Sequence, residues 1–105
     1  MANKYEGMNL EELREQIDAV DRAILDDFRD RMELSAMIAK VKKASGKPIL
    51  DVDREKAKLD IIAKNVEDEL AAYCSKLYLT LADLSKLYQS ELFGTADNKL
   101  GDDDN

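Results

Sequence analysis

Leu10, Leu13, Ile17, Val20 and Ile24 recur at alternating spacings of three and four, the pattern of one face of an α-helix. The same rhythm runs through Asp27 and Arg31 and returns to apolar residues at Leu34, Ile38 and Val41. No glycine or proline interrupts the segment from 8 to 45. Asn9 is placed to cap its start, and Glu11 and Glu12 fall in the first turn, where acids favour the helix dipole. Ser45-Gly46-Lys47-Pro48 ends it. A helix of about 35 residues, roughly 50 Å long, is predicted. That is long for a small domain and suggests a helix that crosses between two subunits.

Asp51 opens a second predicted helix as its N-cap, with Pro48 just outside. It runs to about Lys64, with Ile61 and Ile62 as apolar contacts, and a weak break is expected over 65–68. A third helix is predicted from about Glu69 to Leu92. Its apolar stripe is Leu70, Cys74, Leu77, Leu81 and Leu84, with Tyr78 and Ala82 beside it. No segment shows strand alternation and there are no internal repeats. The expected fold is all-α, with one long, one short and one medium helix in a single domain over 1–93. The acidic residues 94–105 are expected to be a disordered tail.

A chain of 105 residues buries only a modest core, so a partner chain would help it fold. The net charge of −7 disfavours a nucleic-acid partner, which needs a basic face. It does not disfavour a small anion, which needs only a few cations placed locally. There is no histidine, so histidine triads, histidine metal sites and histidine proton shuttles are absent. Cys74 is the only cysteine. No internal disulfide is possible, which fits a reducing compartment, and its apolar helical surroundings suggest a buried, inert thiol. No apolar run resembles a secretory signal or a membrane span, so a cytoplasmic protein is expected.

Several polar residues stand where the pattern or its neighbourhood calls for apolar ones. Arg31 lies on the seam; it either snorkels to water or pairs with Asp27, or it grips a carboxylate with its planar fork. Lys42, eleven residues later, faces within roughly 20° of the same direction and about 16 Å further along. With side chains that each reach about 6 Å, the two tips could hold opposite ends of one small dianion, and Ser35 shares their face. Arg14 is either solvated or a further cation. It lies about 25 Å before Arg31 along the helix, so both can touch one small ligand only if Arg14 comes from a second chain. Arg54 and Glu55 occupy the first turn of the second helix, where free N–H groups bind anions or hydroxyls, or where they serve only the dipole. Ser85 and Gln89 share a face of the third helix, as an exposed edge or as a pocket lining.

The order LEELREQIDAVDRAILDDFRDRMELSAMIAKVKKASGKPILDVDREK closely resembles the first half of the all-helical class of chorismate mutases. The shared elements are LR..ID..D..IL, then R.EL...I...K, a joint ending in proline, and D..RE. Ser85 and Gln89 fall at the family's S...Q pair, so the resemblance covers about residues 9 to 92. It implies an intertwined homodimer of three-helix chains that catalyses the Claisen rearrangement of chorismate to prephenate, without metal or organic cofactor. By resemblance, Arg14 from the partner chain and Arg31 bind the two carboxylates. Lys42 and Gln89 donate to the ether oxygen. Glu55 and the backbone at Asp51 hold the ring hydroxyl, and Arg54 and Ser85 complete the polar shell. A monofunctional member is expected, since 94–105 leave no room for a fused domain. The stretch Asp26-Asp27-Phe28 departs from the usual, more aliphatic sequence, and the tail has no counterpart. Two other readings use the same fold: an isochorismate pyruvate-lyase, which employs similar cations, and a helical dimerisation or regulatory module without catalysis.

Overall fold

The computed structural model describes Gly7 and residues 9–93; the expected tail over 94–105 lies outside the described residues. The chain order is α1 (Leu10–Ala44), α2 (Val52–Asn65) and α3 (Asp68–Phe93). Among the described residues there is no strand. No described helix is long and apolar enough to cross a membrane.

Local chemistry explains each boundary. The Asn9 side chain accepts from the Glu12 N–H at 2.8 Å while Glu12 reaches back to the Asn9 N–H at 3.5 Å, a reciprocal cap that satisfies two donors without helical partners. At the other end of α1, Gly46 takes φ +72°, a conformation that costs a residue with a Cβ but not glycine. The Gly46 N–H then bonds the Lys43 carbonyl at 3.3 Å and the Lys47 N–H bonds the Lys42 carbonyl at 2.8 Å, closing the helix in a Schellman motif. Asp51 Oδ1 accepts from the Arg54 N–H at 3.0 Å and caps α2. Val66 is extended (φ −124°, ψ 159°), which separates α2 from α3.

The described residues fall into two units, one ending at Arg31 and one beginning at Met32. The first is the N-terminal part of α1, and Leu10, Ile17, Val20 and Ile24 of its seam are all more than half exposed. In the second, α2 packs on α3, and a small core gathers Ala39, Ile49, Tyr78 and Ala82.

The inner faces of this second unit differ from the expected ones. On α1 the buried positions are Ser35 and Ala39, with Lys42 half-buried, whereas Leu34, Ile38 and Val41 are exposed, Val41 to 68%. On α3 the buried strip is Tyr78, Ala82, Ser85 and Gln89, whereas Leu70, Leu77 and Leu84 of the predicted stripe are exposed. The physical reason is geometric. Two strips one residue apart both satisfy the helical period. The small residues Ser35 and Ser85 let their hydroxyls meet at 2.9 Å, and the strips that carry them, with Ala39 and Ala82, are turned inward while the larger aliphatic ones stay outside.

Candidate functional site

The buried strips bring three polar side chains together. Ser35 Oγ donates to Ser85 Oγ at 2.9 Å, and Gln89 Nε2 donates to the Ser35 carbonyl at 2.7 Å. Gln89 is only 6% exposed. A primary amide carries two N–H donors. The Ser35 carbonyl takes one and so fixes the direction of the other. The Ser35 carbonyl is free for this role because a helix residue's second lone pair remains after its intrahelical bond. Ser35 thus supplies both a hydroxyl and a carbonyl to the α3 pair. The sequence placed Ser35 on the relevant face but gave it no role; its only signal was a small polar residue four positions after Arg31.

Lys42 is held by the joint that follows it. Its backbone carbonyl closes the Schellman turn, and its Nζ donates to the Ile49 carbonyl at 2.9 Å. One of three ammonium donors is therefore used, and the side chain is drawn across the turn rather than into solvent. Lys42 and Asp51 border a recess of about 360 Å³ with Met37, Ile38, Val41 and Lys47. Asp51 is exposed, with its carboxylate engaged in the cap. Arg54, in the first turn of α2, is exposed as well.

Glu55, one residue on, is half-buried and meets Lys86 of α3: Lys86 Nζ lies 2.9 Å from Glu55 Oε2 and 3.4 Å from Asp83 Oδ1. Burial alone would lower the Lys86 pKa. The hydrogen bond and charge of Glu55, with a smaller contribution from Asp83, outweigh it and hold the ammonium above the ordinary lysine value. Lys86 had not been singled out in the sequence. Only the packing of α2 on α3 reveals its partner.

Of the eight predicted site residues, Lys42, Asp51, Arg54, Glu55, Ser85 and Gln89 lie in the unit that begins at Met32. Arg14 and Arg31 belong to the N-terminal unit, where Arg14 is exposed and Arg31 half-buried. The described cysteine, Cys74, is half-buried rather than buried. Among the described residues no group of His, Cys, Asp and Glu is arranged to hold a metal ion. Within the second unit these groups offer hydrogen-bond donors of fixed direction, half-buried ammonium groups and one half-buried carboxylate, with no nucleophile beside a base among the described residues. Groups of this kind suit the orientation of a small polar anion and the stabilisation of negative charge.

Residues 13–90 match the sequence model of the family described as chorismate mutase type II. A chorismate mutase of Methanocaldococcus jannaschii is 32% identical over 95 residues, which cover 86% of this chain and 93% of the relative. The T-protein of Haemophilus influenzae is 33% identical over 92 residues, 88% of this chain and 23% of its own length. The bifunctional chorismate mutase/prephenate dehydratase of Escherichia coli K12 is 33% identical over 90 residues, 84% of this chain and 23% of its own. The chain therefore spans under a quarter of these two longer relatives and nearly all of the archaeal one. No solved structure matches the chain.

Proposed function

The chain belongs to the type II chorismate mutase family, and we propose that it catalyses the Claisen rearrangement of chorismate to prephenate, on the route to phenylalanine and tyrosine. In this reaction the ether C–O bond breaks as a C–C bond forms within one molecule, and no proton is transferred. Catalysis then consists of selecting the folded conformer and stabilising the charge that develops on the ether oxygen. A chain without histidine lacks nothing that this chemistry needs.

The observation that carries the proposal is the buried Gln89 amide, oriented by the Ser35 carbonyl so that its second N–H is left to donate. With Lys42, it supplies the donors for the ether oxygen. Arg31 and Arg14 of a second copy bind the two carboxylates, Glu55 and the backbone at Asp51 take the ring hydroxyl, and Arg54 and Ser85 complete the shell, Ser85 near the ring carboxylate. The second copy is part of the proposal. Leu10, Ile17, Val20, Ile24, Leu34, Ile38 and Val41 form a seam that is more than half exposed in one chain, far more apolar surface than a monomer ordinarily leaves in water. Pairing two α1 helices along that seam in a homodimer would bury it. A cytoplasmic location goes with a single cysteine that cannot form an internal disulfide.

The purified chain is expected to convert chorismate to prephenate and to release no pyruvate from isochorismate; the opposite pair of results would overturn the assignment. Shared sites are tested by mixing Arg14→Ala with Lys42→Ala, each nearly inactive alone. If Arg14 acts in trans, each heterodimer has one intact site, and random exchange restores about a quarter of the wild-type activity, as two-fold symmetry requires. No recovery after verified exchange would place Arg14 in its own chain's site or outside it.

A further inference from the structure

Among the described residues Glu55 is the only carboxylate that is not exposed. Its Oε2 is engaged by Lys86 Nζ at 2.9 Å, and the two side chains are only 24% and 16% exposed. Its other oxygen, Oε1, makes no hydrogen bond or ion pair among the described residues. A carboxylate held at one oxygen by a half-buried ammonium is restrained in orientation and keeps its other oxygen available to accept. Glu55 also sits in the first turn of α2, whose start is fixed by the Asp51 cap, so both ends of the side chain are constrained. Asp83, 60% exposed and 3.4 Å from Lys86, holds the ammonium from the solvent side.

We propose that Lys86 is a positioning residue, anchored by Asp83, that fixes the Glu55 carboxylate so that Oε1 accepts the ring hydroxyl of the substrate. The inference rests on the chorismate reading of the site and adds to it a residue of α3 that touches no substrate. Lys86 acts through Glu55 alone. Removing it frees the carboxylate to rotate toward water and weakens the grip on the hydroxyl, while the donors at the ether oxygen keep their places. Substrate binding is therefore hit harder than the chemical step.

The test is steady-state kinetics on chorismate for the full chain carrying Lys86→Met, Lys86→Gln or Lys86→Arg, with thermal melts alongside. Lys86→Met and Lys86→Gln are expected to raise KM about tenfold while kcat falls much less, the loss of one well-aligned hydrogen bond to a charged group. Lys86→Arg keeps the charge and the reach and is expected to restore KM to within a few-fold. In a Glu55→Gln background, Lys86→Met is expected to add almost nothing, since the residue through which it acts has already lost its charge. The glutamine variant, polar and shorter, serves if the methionine variant does not fold. A folded neutral variant with wild-type KM and only a lower melting temperature would reduce Lys86 to a structural ion pair and overturn the proposal. So would an arginine variant as impaired as the methionine one. A wild-type chain that leaves chorismate unchanged would refute the underlying reading instead, and this inference with it.

Discussion

Replacing Gln89 by glutamate tests the site at its most constrained point. The amide nitrogen lies 2.7 Å from the Ser35 carbonyl oxygen in a position that is 6% exposed. An ionised carboxylate there sets two acceptors face to face without a proton between them, and burial adds a desolvation penalty, so the introduced carboxyl ionises well above the usual glutamate value of about 4.3. At neutral pH the ionised form offers no donor to the ether oxygen. Losing one preorganised donor costs about 2.7–4 kcal/mol in the transition state, a fall of about 10²–10³ in kcat. Below its raised pKa the carboxyl carries one proton, which can serve the ether oxygen or Ser35 but not both. Activity should rise steeply on acidification yet stop short of wild type. Stability follows the same titration. Below about pH 4.3 the group is neutral in folded and unfolded chains alike, so it adds no pH-dependent penalty. As pH rises toward the folded-state value, only the unfolded chain ionises it freely, and the variant loses stability relative to wild type. Chorismate consumption and thermal melts across the acid-to-neutral range measure both. A wild-type rate at neutral pH, or a Gln89→Glu profile that does not rise on acidification, would refute the donor role.

Two further substitutions separate scaffold from chemistry. Asp51→Ala removes the carboxylate that caps α2 but leaves its backbone; it should cost about 1 kcal/mol, seen as a fall of about 4–8 °C in melting temperature, with a rise in KM because Glu55 lies in the turn that frays. Ser35→Ala removes the hydroxyl that donates to Ser85 while keeping the carbonyl that receives Gln89. It should cost about 0.5–1.5 kcal/mol of stability and lower kcat far less than Gln89→Ala does; equal losses in kcat would mean that the hydroxyl, not the carbonyl, sets the amide.

Helix ends were legible because single residues decide them. Asn9, Gly46 and Asp51 each make a local bond or take a conformation that their own chemistry favours, and the three helices begin and end within a residue or two of expectation. The inward faces were not. The strips through Leu34, Ile38 and Val41 and through Ser35, Ala39 and Lys42 are adjacent on one helix, and no local rule ranks close approach of small residues above burial of large ones. Apolar spacing marked the strip left outside, and the polar strip turned out to be the inner one. The pairing of Glu55 with Lys86 was invisible for a different reason: it exists only once α2 lies on α3, and neither residue departs from what an exposed helix would carry.

The charge of the chain also needs placement before it has meaning. Taken as a sum, −7 describes a protein that repels anions. Taken by environment, every described carboxylate except Glu55 is exposed, whereas Arg31, Lys42, Lys58 and Lys86 are half-buried. Exposed charges are damped within about 8 Å at physiological ionic strength, and charges set into low-dielectric surroundings are screened much less. The exposed acids therefore discourage large polyanions, which meet the whole surface. A small anion meets only a few local groups, and among the described residues four cations but one carboxylate are half-buried, that carboxylate already paired with Lys86. An acidic protein can in this way still present local cations to a small anion, and pairing with Lys86 leaves Glu55 a hydrogen-bond acceptor whose charge is offset.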